Sequence, residues 1–303
     1  MVQKQPAYSS VSMKKVLCLG RSFTGRYLKQ EFPVEVRFLG RQEVPLEPGW
    51  LPDLIVDTIP AIREDSDLLN PFYSEEILRL DELHGRRETK QEGGAFPAVL
   101  PYIHVSSTSV YPASSEGLLT VDELSETGES ASCRKRLELE EAILKFRPEA
   151  AIVRAGGLYG PGRSLPIMIA RGKTRFFERG NDIISRIHVH DLCRLILALG
   201  EHLIQGSAYF PGYQRTRLIN AVDPHPSSVA DTRDFLLEMY SEREMQESLA
   251  RLGLSVPGSL PEPDPVSGQR EVRSLYTSDL IGAFRFPDYR SGFRDSISRS
   301  MSP

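Results

Sequence analysis

Lys14-Lys15-Val16-Leu17-Cys18-Leu19-Gly20-Arg21-Ser22-Phe23-Thr24-Gly25 reads as a strand, a glycine turn and the start of a helix. Two lysines precede an apolar run that ends in glycine, the pattern of a short parallel strand buried on both faces. Residues 23–32 then show helical spacing. A dinucleotide-binding fold needs a tight turn at this place, because the helix N-terminus must aim its unpaired amides at a pyrophosphate. Gly20 can make the turn, and Gly25 allows helix and strand to approach closely. The middle glycine of G-x-G-x-x-G is replaced by Ser22, which adds bulk but can donate to a phosphate. Alone, the motif also suits an ordinary strand-to-helix turn. Its place on the first strand of an alternating chain favours a ligand, and makes Gly20, Arg21, Ser22, Phe23, Thr24 and Gly25 the first candidate cofactor contacts.

Outward from this turn the pattern repeats. Residues 34–39 read as a second strand ending at Gly40-Arg41. Pro45, Pro48 and Pro52 argue against a crossover helix over 41–52. Residues 53–59 read as a third buried strand stopped by Pro60, 67–83 as a helix, and 84–94 as a charged loop. A fourth strand is expected at 102–106, a helix at 132–146, a fifth strand at 150–155, and an amphipathic helix at 190–204 with Leu192, Leu195, Ile196, Leu199 and Leu203 on one face. Strands alternating with helices predict an α/β fold, a Rossmann-type doubly wound parallel sheet. After Gly206 the character changes: a strand at 217–222, proline-rich turns, and short helices near 231–240 and 241–252. The expected division is a disordered tail over 1–13, with Met13 an alternative start, a nucleotide-binding domain over 14–205, and a smaller, mostly helical C-terminal substrate lobe over 206–303, with 164–187 contributing to the cleft.

Composition narrows the function classes. The chain has 303 residues, 40% hydrophobic and 26% charged, with a net charge of -4, so no electrostatic argument favours nucleic acid or an anionic membrane as partner. No apolar run approaches the roughly 18 residues of a membrane span, and the N-terminus lacks the apolar core of a secretory signal. Cys18, Cys133 and Cys193 have neither metal-ligand spacing nor a disulfide framework. A reducing cytoplasm and no metal are therefore expected.

Four landmarks follow in order: the glycine turn; Ser106-Ser107-Thr108-Ser109-Val110-Tyr111; Arg154-Ala155-Gly156-Gly157-Leu158-Tyr159-Gly160-Pro161-Gly162-Arg163; and Arg186-Ile187-His188-Val189-His190-Asp191. Together they resemble the extended short-chain dehydrogenase/reductase superfamily, NAD-dependent epimerase/dehydratase type, and its atypical members most closely. The resemblance implies a site in the cleft between the sheet and the C-terminal lobe. It also implies a tyrosine acting as general acid/base, a lysine four residues later that lowers its pKa and holds the ribose, and a strand-end serine or threonine that orients the substrate oxygen. Aligned on Val110-Tyr111, Ser107 takes the hydroxyl position, with Thr108 beside it. Aligned on Glu140, Arg136 takes the lysine position and Ser132 the tyrosine position. No tyrosine in the chain is followed four residues later by lysine. Ser132 cannot titrate near neutrality, and Arg136 is too firmly protonated to act as a base, although it can hold a ribose or phosphate.

The remaining expectations follow from the same frame. Arg41, with Arg21, is placed to meet a 2′-phosphate, which favours NADP over NAD. Ile59, Gly157 and Tyr159 complete the cofactor contacts. Tyr111, Arg163 and Arg186 are the substrate candidates; the glycines around Arg163 allow close approach, and arginine suits a phosphate. Cys133, His188 and His190 read as packing or capping residues. The implied function is an NAD(P)-dependent oxidoreductase or epimerase acting on a sugar nucleotide or similar small polar substrate with non-standard acid/base residues. The alternative is a non-catalytic NAD(P)-binding sensor or scaffold. The resemblance also implies a homodimer formed through helices flanking the sheet.

Overall fold

The computed structural model describes residues 13–40, 46–47, 49–59, 71–88, 99–113, 117–205, 218–263 and 269–300. In chain order the elements are β1 (Lys15–Leu19), α1 (Phe23–Glu31), β2 (Glu35–Leu39), β3 (Leu54–Asp57), α2 (Pro71–Glu88), β4 (Tyr102–Ser107), β5 (Leu118–Val121), α3 (Ala131–Phe146), β6 (Ala151–Ala155), β7 (Gly157–Tyr159) and α4 (Leu165–Ala170). There follow β8 (Ile183–Ile184), β9 (Arg186–His188), α5 (Val189–Ile204), β10 (Leu218–Ala221), β11 (Ser227–Ser228), α6 (Val229–Ser241), α7 (Arg243–Arg251), β12 (Gln269–Val272), α8 (Thr277–Ile281) and α9 (Tyr289–Arg299).

The central sheet has six parallel strands in the order β10-β6-β4-β3-β1-β2. β1 shows why its sequence is continuously apolar. Val16 and Cys18 pack on one face with Tyr27 and Leu28 of α1 and Leu192, Leu195 and Ile196 of α5. Leu17 and Leu19 pack on the other with Ile77 and Leu80 of α2 and Leu139 and Ile143 of α3. Successive side chains of a strand alternate between faces, so a strand covered on both sides has no polar position to spare. β2 pairs with β1 alone in this sheet. β2 is therefore the sheet edge, and the strand order reverses between β1 and β3. That reversal is the crevice where doubly wound sheets bind ligands.

A third core forms the C-terminal lobe. Tyr159, Ile167 and Phe177 join Phe235, Leu236 and Met239 of α6, Leu249 of α7, and Tyr289, Phe293 and Ile297 of α9. Several residues from 164–187 belong to this core, among them Ile167, Ile169 and Phe177. The division at residue 206 needs correction. β10 pairs with β6 in the central sheet, and Leu280 and Ile281 of α8 pack on α5, so the chain returns to the nucleotide-binding side twice after leaving it. Met13, assigned above to a tail, is buried in the sheet core.

Candidate functional site

The glycine turn is built by the backbone. Gly20 takes φ +77°, the left-handed region open to glycine, and its amide donates to the Leu39 carbonyl of β2 at 2.8 Å. A Cβ on Gly25 would lie 2.8 Å from Phe38 Cε1 and 3.2 Å from Cys18 Sγ, so only glycine lets α1 seat against the sheet. Ser22 is the N-cap of α1: its hydroxyl accepts from the Gly25 amide at 3.0 Å. The serine thus occupies one helix-terminal amide that a phosphate would otherwise meet. The third strand closes the same crevice. Thr58 Oγ1 donates to the Leu19 carbonyl at 3.1 Å, the Ile59 amide donates to Asp57 Oδ1 at 2.9 Å, and Ile59 Cγ1 lies 3.6 Å from where a Gly20 Cβ would be. Beside the turn, the Arg21 guanidinium and the Lys29 ammonium each sit 5.8 Å from the Phe38 ring centre at the end of β2. Arg41 lies outside the described residues. The turn and its helix terminus fit the pyrophosphate of a dinucleotide.

At the carboxyl ends of β4 and β6 a cavity of about 640 Å³ opens. One wall is the run from Val105 to Ser109, another runs from Ala155 to Leu158, and Arg163, Asp182, Ser185, Arg270 and Val272 close it. Ser107, Thr108, Gly157 and Arg163 are brought together here. Ser107 ends β4, and its hydroxyl accepts from the Ser109 amide at 3.2 Å, which leaves the Ser107 proton free to donate into the cavity. Arg163 links cavity and turn: its guanidinium lies 5.9 Å from the Phe23 ring centre.

Beneath this wall is a buried charge network. Ser106 Oγ donates to Glu140 Oε1 of α3 at 2.5 Å. Glu140 in turn accepts from Arg154 of β6, at 2.8 Å on Oε2 and 3.2 Å on Oε1. Both charged side chains are buried, and the Arg154 guanidinium lies 5.0 Å from the Tyr111 ring centre.

The face of α3 opposite β4 does not present an acid/base pair. Ser132 is exposed and is no part of the cavity wall. The inward position at this end of α3 is Cys133, whose thiol donates to the carbonyls of Val110 and Gly128 at 2.9 and 2.6 Å. Arg136 is half buried, and its Nε is buried with no hydrogen-bond partner, as is Ser109 Oγ. Arg136 Nε is a donor awaiting an acceptor, as a ribose or phosphate oxygen would supply.

Three candidates fall outside the cavity. Tyr111 is buried, with its hydroxyl donating to Asn220 Oδ1 at 2.8 Å. Tyr159 belongs to the lobe core and donates to the Asp288 carbonyl at 3.1 Å. Arg186 is buried, donates to Ser227 Oγ and Thr232 Oγ1 at 2.7 and 3.0 Å, and ties β9 to α6. Burial pushes the phenols of Tyr111 and Tyr159 above their ordinary range, and that of Tyr27 up to about 12. A base near neutrality needs the opposite shift. Sequence reasoning did not single out Ser106 or Arg270 as cavity residues, and reached Asp182 and Ser185 only within the span 164–187. For Ser106 the signal was present in the serine run of β4. Arg270 arrives on β12, which pairs with the distant β5, and no local pattern announces that.

No family profile matches the chain, and no curated protein matches it. Solved structures do. A Methylobacillus flagellatus protein assigned to the NAD-dependent epimerase/dehydratases is 22% identical, with 95% of this chain and 98% of that one covered and a TM-score of 0.57. UDP-glucuronic acid 4-epimerase from Bacillus cereus, in complex with NAD, is 15% identical over 94% and 98%, with a TM-score of 0.56. A human epimerase family protein with NADPH is 18% identical over 93% and 99%, with a TM-score of 0.54. The chain therefore has the fold of the extended short-chain dehydrogenase/reductases of epimerase/dehydratase type, over nearly its whole length.

Proposed function

We propose that this protein binds NADP(H) and acts by oxidoreduction or epimerisation on a sugar nucleotide or a similar small polar substrate. The observation that carries the reading is the link between two sites: a glycine turn shaped for a dinucleotide, and a hydroxyl-lined cavity at the strand ends, joined by Arg163. Gly20, Ser22, Phe23, Thr24, Gly25 and Ile59 would hold the dinucleotide, Arg136 a ribose or phosphate oxygen, and Ser107 with Thr108 the substrate oxygen. Arg21 and Lys29 around Phe38 favour NADP, because two cations at the end of β2 suit a 2′-phosphate. The bound group would supply hydride chemistry. The cavity with its ordered hydroxyls favours an enzyme over a cofactor sensor, which needs no substrate pocket. No helix among the described residues is long and apolar enough to cross a membrane. Leu78 of α2 and Leu144 of α3 are exposed on the outer layer, where a homodimer would form.

Calorimetry tests the reading directly. NADPH should bind at least about tenfold more tightly than NADH, since a charge-assisted contact contributes about 1.5–3 kcal/mol. Arg21→Ala with Lys29→Ala should erase that difference and leave NADH binding unchanged. Absence of heat with all four nicotinamide dinucleotides would overturn the reading.

A further inference from the structure

Arg163 reaches the glycine turn from the lobe side, on a tightly anchored backbone. Residues 160–163 form a closed turn: the Gly160 amide donates to the Arg163 carbonyl at 3.0 Å, and the Arg163 amide donates to the Gly160 carbonyl at 2.9 Å. Pro161 and Gly162, the latter at φ +79°, take the two corners, the residue pattern of a type II turn. The Gly162 amide donates out of the turn, to Ser300 Oγ at 3.1 Å. Ser300 directly follows α9. Its own proton goes to the Ser296 carbonyl at 2.5 Å, so the hydroxyl is fixed as donor and as acceptor.

The same end of α9 also grips α1. Phe23, Tyr27 and Glu31 recur at every fourth position and share one face of that helix. Arg299 Nη1 donates to the Tyr27 hydroxyl at 2.8 Å, and the Arg299 guanidinium pairs with Glu31. One turn nearer the start of α1, the Arg163 guanidinium lies 5.9 Å from the Phe23 ring centre. Arg163 meets no carboxylate among the described residues, so its charge is not balanced locally. The glycine turn beside it is short of donors, because the Ser22 hydroxyl already occupies the Gly25 amide at 3.0 Å. A guanidinium next to the first residue of α1 supplies paired, charged donors where a phosphate would meet that helix end.

We propose that Arg163 is a cofactor residue, closing from the lobe over the diphosphate of a dinucleotide held at the glycine turn, and that Ser300 positions it by anchoring the tip of its turn. The inference rests on the dinucleotide reading above. It moves Arg163 from substrate to cofactor, and it makes the end of α9 part of cofactor binding. A sugar nucleotide also carries a diphosphate, but Phe23 belongs to the dinucleotide turn, which favours the cofactor as its source.

A double-mutant cycle read by calorimetry tests both parts. NADPH should bind Arg163→Ala about tenfold more weakly than the wild type, as loss of a charge-assisted contact predicts, while UDP-glucose binding stays the same. Ser300→Ala should weaken NADPH binding about threefold. Its urea midpoint should not move, because Ser300 is partly exposed, and Ser300→Thr should restore wild-type affinity. In the Arg163→Ala background, Ser300→Ala should have no further effect, since a positioning residue acts only through the group it positions. The cofactor assignment is overturned if Arg163→Ala binds NADPH as the wild type does, or if it loses affinity for UDP-glucose instead. The positioning role is overturned if Ser300→Ala weakens NADPH equally in both backgrounds, or weakens it only as far as it lowers the urea midpoint. A wild type that binds no nicotinamide dinucleotide at all overturns the cofactor reading itself, and the inference with it.

Discussion

The glycine turn before α1 and the first turns of α3 both depart from the pattern of the family they resemble, in different ways. The turn has lost its middle glycine to Ser22 yet keeps its shape, because Gly20 and Gly25 set the backbone and the serine caps the helix it begins. The first turns of α3 keep their place on the sheet, but Ser132 faces solvent and Cys133 closes two carbonyls. Binding by backbone amides survives a side-chain change when the chain path is kept. Acid/base work does not, because it resides in the pKa of one side chain.

The largest test of this contrast is the charge pair under β4. Arg154→Met leaves Glu140 buried without its cation and should cost about 3–5 kcal/mol, read by urea unfolding. The folded fraction should still bind NADPH, and loss of that binding would show the two regions to be one unit. Next, Gly25→Val should cost about 1–3 kcal/mol by overpacking against Phe38 and Cys18 and should abolish NADPH binding, since the helix must move away from the sheet. Normal binding would mean that the turn is not the cofactor site.

A third test uses pH. Burial lowers the pKa of His188, which is faced by Asp295, Asp191, Arg299, Tyr27, Tyr159 and Phe286. The unfolded chain therefore takes up this proton first as pH falls. Stability should be complete above the ordinary value of about 6.5 and decline below it towards the folded value. His188→Asn keeps an acceptor for the His190 amide, which His188 Nδ1 now caps at 3.1 Å, and should flatten that decline; an unchanged slope in acid denaturation would assign it to other groups, His190 among them. The smallest effect is expected where the family pattern is restored. Ser132→Tyr with Arg136→Lys should shift stability by no more than about 0.5 kcal/mol and raise no oxidoreductase activity above the wild-type level, because Ser132 is outside the cavity. A marked gain would show that α3 can rotate its exposed face inwards.

Local patterns carried most of the sheet. β1, β3 and β6 are largely apolar because helices cover both faces, and Asp57 and Arg154 are the exceptions near their carboxyl ends. The amphipathic α5 was visible for the same reason. α9 was not recognised, although Tyr289, Phe293 and Ile297 recur at every fourth position behind the cap Asp288; its high content of serine and arginine hides the stripe. The pairing of β5 with β12 joins segments some 150 residues apart, as the register of Leu118 with Gln269 shows, and nothing local specifies it. At the site, the hydroxyl run of β4 was legible. The bond of Ser106 to Glu140 was not, because Glu140 and Arg154 arrive from other elements. Tyr111, Tyr159 and Arg186 were marked by motif, but what their polar atoms bond to is decided by the lobe folded over them.

The return of β10 to the central sheet bears on how the chain is made. During synthesis β6 emerges well before β10, with α4 and α5 between them. Until Leu218 to Ala221 leave the ribosome, the edge of β6 has unpaired amides and carbonyls, a template for association with another chain. The lobe segments made in that interval lack α9, which completes their core. Arrest of translation between residues 205 and 218 should therefore yield an adhesive intermediate, and release past residue 300 a soluble one.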